Sequence, residues 1–262
     1  MPYRAIFFDL FDTLVRFERQ RLPEIVIRGK TVRSTAGRLH AVLARHAPHV
    51  SLEQCYAGLV ASWQEAERLR AIDHREVTAR ERFSYFFPAI GLDAGALPTG
   101  LDEALIEAHR RELARAATFP DHHRPLLERL ARQHCLAVVS NFDYTPTALG
   151  ILEAAGVRGL FRTIVVSDEV GWRKPRADIF QAALQRAGVE PHDTLFVGDR
   201  IDIDVVGAHA VGMDAAWINP DREPLPAGVT APSYEIRDLG ELEAIVAPPG
   251  PASPGPRPAS RG

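Results

Sequence analysis

A short apolar run near the start of the chain leads directly into two carboxylates and a threonine. Residues 5–8 read Ala-Ile-Phe-Phe, and Asp9, Asp12 and Thr13 follow within five positions. An unbroken apolar run of this kind is typical of a strand buried on both faces of a parallel sheet. Ligands of open α/β sheets bind beyond the carboxyl ends of the strands, so Asp9 and Asp12 stand at a candidate reaction site. A core strand that ends in an Asp/Thr turn or a helix cap explains the same residues without chemistry.

Length, charge and cysteine content limit the classes of protein to which the chain can belong. Its 262 residues can form one large domain or a core with a substantial insertion. The net charge of −3 and the pI near 6.4 give no electrostatic reason to expect nucleic acid or an anionic membrane as a partner. Cys55 and Cys135 form neither a metal-ligand spacing nor a disulfide framework. Since we find no signal peptide and no apolar stretch of about 18 residues, we expect a soluble, cytoplasmic protein.

Helical patterns, and no second strand, follow the first strand. Between residues 16 and 118 we predict helices over 33–45, 51–69, 76–87 and 101–113. No alternating strand pattern stands out there, although Ile25-Val26-Ile27 can extend briefly. A helical insertion of about 100 residues is too long for an ordinary loop, so we predict a small second domain over residues 16–118.

Strand and helix alternate from residue 119 onward, which is the pattern of an α/β fold with a parallel sheet. The predicted strands cover 135–139, 163–166, 194–197 and 215–218, and the predicted helices cover 125–133, 146–155, 177–187, 203–211 and 239–246. Residues 1–15 and 119–246 therefore form the predicted core. Residues 247–262 consist almost wholly of Pro, Gly, Ser, Ala and Arg, a composition that predicts a disordered tail.

Chemically active side chains stand at the ends of these predicted strands in a definite order. Asp9 follows the first strand, Ser140 the second and Gly198-Asp199 the fourth, with Lys174 in an Arg-Lys-Pro segment before the fourth. This ordered set resembles the four motifs of the haloacid dehalogenase (HAD) superfamily. The helical insertion also resembles the superfamily's type-1 α-helical cap. The resemblance covers the core and implies a Rossmann-like, doubly wound parallel sheet with an inserted helical cap domain.

The carboxylates support a mechanism that can be stated without the family. Asp9 can attack phosphorus and form an aspartyl-phosphate, which divides one difficult hydrolysis into two easier steps. A carboxylate repels a phosphate dianion, so the site needs a cation, and a later acidic segment offers hard oxygen ligands. Mg²⁺ fits best, because one or two carboxylates, waters and substrate phosphate usually hold it. The resemblance assigns the metal to Asp9, Asp199 and the backbone carbonyl of Phe11, adds Asp204 as the second acid of the last motif, and leaves Asp202 as the weaker candidate.

The other motif residues are predicted to bind the phosphate group. By resemblance, Ser140 donates to a phosphoryl oxygen with help from the backbone N–H of Asn141. Lys174 resembles the lysine that neutralises both nucleophile and phosphate. Thr13 supports the nucleophile's loop, although a capping role explains it equally well. Taken singly, Ser140 is as readily a turn serine and Lys174 a solvated lysine, so the specificity lies in the combination of four motifs.

One position of the first motif departs from the phosphatase pattern. Phosphatases of the superfamily usually carry an acid–base aspartate two residues after the nucleophile, where this chain has Phe11, with Asp12 one place later. Because phenylalanine cannot transfer a proton, another group must protonate the leaving oxygen and activate water. Adjacent side chains on an extended segment point in opposite directions, which argues against Asp12. Dehalogenases of the superfamily also lack this acid, but their last motif lacks the Gly-Asp with a following aspartate.

The insertion carries two mixed groups of charged and aromatic residues, His74-Arg75-Glu76 and residues 80–87. They can face a substrate, but such a mixture is more often a helix with one solvated and one buried face. His74 or Glu76 would be alternative proton donors. Arg16 and Arg19 are further candidates for anion contacts, without a spacing signature.

The sequence therefore predicts a Mg²⁺-dependent hydrolase of small phosphate monoesters. Two alternatives stay open. One is a 2-haloacid dehalogenase that releases halide through an ester on Asp9, and the other is a phosphate-binding HAD-like protein with little turnover. The expected partner is a small phosphorylated metabolite, and the sequence identifies neither that metabolite nor the oligomeric state.

Overall fold

The computed structural model describes residues 3–93, 95 and 97–247. The first half of the chain contains β1 Ala5–Phe8, β2 Arg16–Phe17, β3 Glu24–Ile27, β4 Lys30–Arg33, α1 Ala36–Leu43, α2 Leu52–Asp73, α3 Ala79–Ala89, α4 Leu101–Ala116 and β5 Ala117–Thr118. The second half contains α5 His123–Leu130, β6 Cys135–Ser140, α6 Thr145–Ala154, β7 Thr163–Val166, α7 Ser167–Val170, α8 Ala177–Ala187, β8 Thr194–Gly198, a π-helical turn Ile201–Val205, α9 Val206–Ala210, β9 Asp214–Ile218, β10 Tyr234–Ile236 and α10 Leu242–Val246.

Six parallel strands form the central sheet in the order β10-β9-β8-β1-β6-β7. The chain runs from β1 through β6 to β7 on one side and then returns to build β8, β9 and β10 on the other. The direction of winding thus changes at β1, and ligands of open α/β sheets bind at the carboxyl edge of such a switch point. The predicted α/β, doubly wound parallel sheet is confirmed.

Strand β1 is buried on both faces, as its apolar run predicts. Ile6 and Phe8 pack into one apolar cluster with α5, α6 and α10, while Ala5 and Phe7 pack into a second cluster with α8 and α9. All four side chains are fully buried, and a buried side chain the size of Ile or Phe contributes about 1.5–3 kcal/mol. This burial fixes the position of the residues that follow the strand.

The inserted segment, residues 16–118, has an apolar cluster of its own. Its described residues contain α1 to α4 and two small antiparallel sheets, one of β2 and β5 and one of β3 and β4. The cluster is formed by α1 to α4 and by Ile25 of β3. Helices dominate this segment, as predicted.

The prediction of no strand pattern in this segment is wrong for residues 24–33. They form a hairpin with a two-residue turn at Arg28-Gly29, both with positive φ (48° and 76°). The β-branched residues on either side of a glycine turn are the sequence signal for such a hairpin. The alternation of apolar and polar residues is weak here, because the apolar side chain of Val26 is on the solvent-facing side and is 59% exposed. The following helix begins at Ala36 rather than residue 33, because Arg33 pairs within the hairpin.

Most predicted elements of the core match the structure within a few residues, and β10 is the strand that was missed. It has three residues and pairs with β9 at the edge of the sheet, too short to give a pattern. The predicted tail lies outside the described residues after Ala247, so its disorder stays a prediction. Both cysteines are free thiols. Within the described ranges no helix has the length and apolarity needed to cross a membrane.

Candidate active site

The polar residues that follow three neighbouring strands meet at the carboxyl edge of the sheet. In register, Phe8 of β1 lies beside Val138 of β6 and Val197 of β8. The residues beyond them therefore leave the sheet side by side. They line a cavity of about 200 Å³ whose walls are Asp9, Phe11, Asp12, Ser140, Asn141, Arg173, Lys174, Asp199, Arg200, Ile203 and Asp204. Of the motif residues predicted for the site, Thr13 and the weaker candidate Asp202 are not in this wall.

Lys174 is the cation at the centre of the site. Its Nζ lies 2.7 Å from Oδ1 of Asp9 and 2.7 Å from Oδ1 of Asp204. Burial alone would lower the pKa of Lys174, but the two carboxylates raise it above its usual value, so the side chain stays charged. Asn141 holds the backbone of this lysine, because its Oδ1 accepts from the Lys174 N–H (2.7 Å) and its Nδ2 donates to the Lys174 carbonyl (3.0 Å). This positioning role of Asn141 was not foreseen from the sequence.

Two carboxylates pair with this ammonium group, and the carboxylate of Asp199 lies close to both of them. Oxygens of Asp9, Asp199 and Asp204 lie within 4.8 Å of one another. Burial, followed by repulsion from the other two carboxylates, raises the pKa of Asp199 to about 8. Burial also raises the pKa of Asp204 to about 6. A compact set of hard oxygen donors with surplus negative charge fits Mg²⁺.

Asp199 and Asp204 are fixed by their surroundings. The indole N–H of Trp217 donates to the carbonyl oxygen of Asp199 (2.8 Å), and the backbone N–H of Arg200 donates to Oδ2 of Asp204 (3.0 Å). Gly198 leaves the space for Asp204, since a Cβ at this position would lie 2.3 Å from Asp204 Oδ2. The last motif therefore requires glycine at position 198, because the Asp204 side chain approaches this backbone too closely for a Cβ.

Two predicted hydroxyls are buried without a hydrogen-bond partner among the described residues, those of Thr13 and Ser140. An unpartnered buried hydroxyl is unfavourable, and Ser140 lies in the cavity wall, where it can donate to a ligand oxygen. Asp202 is exposed, pairs with Arg200 at 2.9 Å and is not in the wall. The structure thus separates Asp202 from the other two acids of its segment.

Asp12 does not lie on an extended segment, so the geometric reason given against it is wrong. Its backbone is left-handed (φ 58°), and its Oδ1 accepts the backbone N–H of Phe17 at 2.9 Å. Asp12 is exposed and lines the same cavity as Asp9. Phe11 instead packs on aromatic rings, with centroid distances of 4.9 Å to Phe142 and 6.1 Å to Phe17.

The candidate site residues of the inserted segment do not line this cavity. Glu76 is buried and accepts from Arg70 and from Arg173 (2.6 Å), the neighbour of Lys174, so it joins the inserted segment to the core. Arg82 lines a second cavity, which adjoins the one at the sheet edge. His74 is the exposed C-cap of α2, and Arg16 is exposed in β2. Arg75 forms an ion pair with Glu81, and Arg80 forms ion pairs with Asp102 and Glu103. Arg19 lines a third cavity, and Arg82 is also in the wall of that cavity.

The resemblance of the four motifs is confirmed by comparison with known proteins. A family model for haloacid dehalogenase-like hydrolases matches residues 3–212. The chain belongs to this family. It is therefore a HAD-like hydrolase, as its motifs predict.

Relatives of this HAD-like hydrolase include proteins named for different activities. YfnB of Bacillus subtilis is 27% identical over 93% of this chain and 95% of its own length, and its magnesium-bound structure superposes with a TM-score of 0.61 over 94% of this chain and 100% of that one. Glyceraldehyde 3-phosphate phosphatase of Methanothermobacter thermautotrophicus is 28% identical over 83% and 86% of the two chains. The structure of 2-haloacid dehalogenase from Pseudomonas syringae, 25% identical, gives a TM-score of 0.70 over 94% and 98%.

Proposed function

We propose that this HAD-like hydrolase is a Mg²⁺-dependent phosphatase of small phosphate monoesters. The observation that carries the proposal is the group of three carboxylates with oxygens within 4.8 Å of one another, two of which pair with Lys174. Displacement of a halide from carbon gives no reason to collect this negative charge, whereas a divalent cation and a phosphate dianion use it together. The phosphatase relative and the magnesium-bound YfnB support the same choice.

In the proposed mechanism, an Asp9 oxygen attacks phosphorus, the bond to the ester oxygen breaks, and an aspartyl-phosphate forms. Water then attacks this phosphorus, which releases inorganic phosphate and regenerates the carboxylate. Lys174 offsets charge on Asp9 and on the transferring group, and the unpartnered hydroxyl of Ser140 donates to a phosphoryl oxygen. Bound Mg²⁺ would be held by Asp9, Asp199, Asp204 and the Phe11 carbonyl, and would neutralise phosphate oxygens.

The first step also needs a proton for the leaving oxygen, and Phe11 cannot give one. General acid catalysis is typically worth about 10²–10⁴-fold, so we expect esters of acidic alcohols and acyl phosphates to react fastest. Asp12 lines the cavity and is the candidate donor nearest in sequence, although its Oδ1 already accepts from Phe17.

We further propose that residues 1–15 and 119–246 form the hydrolase core and that residues 16–118 act as its cap. Glu76 supports this division, because it connects the inserted segment to Arg173 and to the hydroxyl of Ser167 in the core. The expected partner is a small phosphorylated metabolite that enters between core and cap.

A second candidate is a 2-haloacid dehalogenase. Phe11 favours this function, because a halide leaves without a proton and needs no general acid. The structural likeness to the Pseudomonas enzyme also favours it. In that case Asp9 would displace halide from carbon, and water would hydrolyse the resulting ester.

A substrate screen distinguishes the two functions. Purified protein is assayed for phosphate release from many phosphate esters, with Mg²⁺ or with EDTA, and for halide release from 2-haloacids in parallel. We expect phosphate release that EDTA abolishes and Mg²⁺ restores. Halide release at full rate in EDTA would overturn the phosphatase proposal, and absence of both activities would favour a binding protein.

A further inference from the structure

A second cavity, of about 360 Å³, adjoins the catalytic one, and the two share Asn141 and Arg173 in their walls. Its other walls come from α2, α3 and α4 of the inserted segment and from the loop that follows β6. Because the two cavities adjoin, the leaving group of an ester bound at Asp9 can extend into this second space.

Three arginines surround a single carboxylate in the wall of this second cavity. Nitrogens of Arg70 and Arg82 lie 3.7 and 3.9 Å from Oδ2 of Asp143, and Arg110 pairs with Oδ1 of the same residue. Arg70 has another partner in Glu76, at 2.8 Å. Arg82 and Arg110 have ion pairs only with Asp143 among the residues that the structure describes. One carboxylate thus balances two buried guanidinium groups.

These two arginines also have unused hydrogen-bond donors. They are 5% and 2% exposed, and within the described chain Nε of each has no hydrogen-bond partner. Arg82 contacts His109 (Nη2 to Nε2, 2.6 Å), but burial and the two arginines lower the pKa of His109 well below its usual value, so the ring brings no charge. Burial and the nearby Arg110 also lower the pKa of Arg82 to about 10. An anion would relieve both the unmet donors and the repulsion.

Aromatic surfaces lie beside this surplus charge. The guanidinium of Arg110 stacks on Phe142 at 4.9 Å, and the other neighbour of Phe142 is Phe11 of the first motif. Trp63 is 52% exposed in the same wall. The remaining acid in the wall, Glu67, is partly exposed and already paired with Arg70 at 2.7 Å. A flat or apolar leaving group can therefore lie on the rings while its anion reaches the arginines.

We propose that Arg82 and Arg110 select phosphate esters whose leaving group carries a second anion, a carboxylate or a phosphate. This inference rests on the proposed phosphatase function and names the substrate class of that site. The shared chemistry is an oxyanion that accepts from two buried guanidinium groups, each a charge-assisted hydrogen bond.

The test compares aryl phosphates that carry an anionic or a neutral substituent at the same ring position. 3-Carboxyphenyl phosphate is compared with 3-carbamoylphenyl phosphate, its neutral isostere, and 1,3-phenylene bisphosphate provides the phosphate arm. We expect kcat/KM to favour at least one anionic ester by about 10-fold or more, the value of one hydrogen bond to a charged group. The arm with the larger preference identifies the anion.

Two pairs of variants assign the preference to these residues. Arg82→Gln and Arg110→Gln should bring the ratio of anionic to neutral ester close to one. The matched controls are Arg80→Gln on α3 and Arg111→Gln on α4, exposed arginines that pair with Asp102 and Glu107 and lie outside the cavity, and they should keep the ratio.

The outcomes separate this inference from the proposed function. If the unmodified protein cleaves all three esters equally, the anion pocket is wrong and the phosphatase stands; this result needs no variant to fold. If it cleaves none, the phosphatase proposal fails. In that case, calorimetry measures the affinity of each ester for the Asp9→Asn variant in Mg²⁺ and so tests the anion pocket separately. Equal affinities would overturn the pocket, and a 10-fold higher affinity for an anionic ester would support it.

Discussion

Two clusters of buried charge lie in this protein, and their balance is opposite. At the sheet edge, the carboxylates of Asp9, Asp199 and Asp204 lie together, and the ammonium of Lys174 pairs with two of them, Asp9 and Asp204. Where the inserted segment meets the loop after β6, three guanidinium groups of the segment surround the single carboxylate of Asp143 in that loop. The first cluster has a surplus of negative charge and the second a surplus of positive charge.

The contrast shows how one substrate can satisfy both sites. Uncompensated buried charge is unfavourable, so each cluster favours a partner of opposite sign. A divalent cation with a phosphoryl group suits the sheet edge, and an anionic leaving group suits the arginines. Phe11 lines the cavity at the sheet edge and Phe142 lines the second cavity, and their ring centroids lie 4.9 Å apart.

The largest expected effect comes from removing a carboxylate at the sheet edge. A bound metal supplies several kcal/mol of charge stabilisation, so Asp199→Asn should lower kcat/KM for phosphate esters by about 10³-fold and raise the Mg²⁺ concentration needed for half-maximal rate. Asp202→Asn is the matched control, since this exposed acid of the same segment pairs with Arg200 instead. Equal losses in both variants would contradict the assignment of Asp199.

The next largest effect is expected from changing Phe11, which lines the cavity at the sheet edge and packs on Phe142. Phe11→Asp introduces a general acid and should raise the rate on alkyl phosphates by about 10²-fold while changing the rate on activated aryl phosphates little. Phe11→Asn controls for size. The measurement is a plot of log kcat/KM against leaving-group pKa, which should be steep for the unmodified protein and shallow for Phe11→Asp. A flat plot for the unmodified protein that steepens in Asp12→Asn would show that Asp12 is the acid.

Two glycine-to-alanine variants test the packing at the sheet edge, one at the edge and one away from it. Gly198→Ala places a Cβ 2.3 Å from Asp204 Oδ2, so it should lower the free energy of unfolding by about 1–3 kcal/mol and lower activity. Gly150→Ala, in α6 with no atom within 4 Å of the new Cβ, should raise the free energy of unfolding by about 0.5–1 kcal/mol. Urea unfolding of both variants checks this difference, and a loss of stability in Gly150→Ala equal to that in Gly198→Ala would contradict it.

A further expected effect is on the pH dependence of stability in the absence of metal. The pKa of Asp199 is raised to about 8, so the folded state holds a proton that the unfolded state loses near pH 4. The stability from this group is therefore present at low pH and lost as pH rises towards 8. The arginines around Asp143 outweigh its burial and lower its pKa, so it stays ionised in both states above pH 5.

Thermal melts in EDTA between pH 5 and 8 measure this difference. Tm of the unmodified protein should fall with pH more steeply than Tm of Asp199→Asn. Asp143→Asn should have a lower Tm throughout, with the slope of the unmodified protein. An identical slope in Asp199→Asn and the unmodified protein would show that Asp199 titrates normally.

The two clusters also differ in how far the sequence predicts them. Asp9, Ser140 and Asp199 each follow a buried strand, and parallel strands bring their carboxyl ends to one edge, so local pattern was enough to bring them together. Arg110 and Asp143 carry no such signal. They meet because α4 packs beside the loop after β6, a tertiary contact between residues 33 positions apart.

The same reason explains the remaining errors. The hairpin at residues 24–33 and strand β10 are short and partly exposed, so their patterns are weak. The backbone at Asp12 turns because Phe17 donates to its side chain, a contact that spacing does not reveal. The positions of single side chains in the inserted segment depended on packing that no local pattern contains.

Trapping the covalent intermediate tests the central claim most directly. The protein and its Asp9→Asn variant are mixed with a ³²P-labelled phosphate ester and Mg²⁺, quenched in acid within one turnover, and digested for peptide mapping. We predict an alkali-labile label on the peptide that contains Asp9, and none on the variant. Rapid phosphate release without any label on the chain, or a label that persists in Asp9→Asn, would contradict the aspartyl-phosphate mechanism.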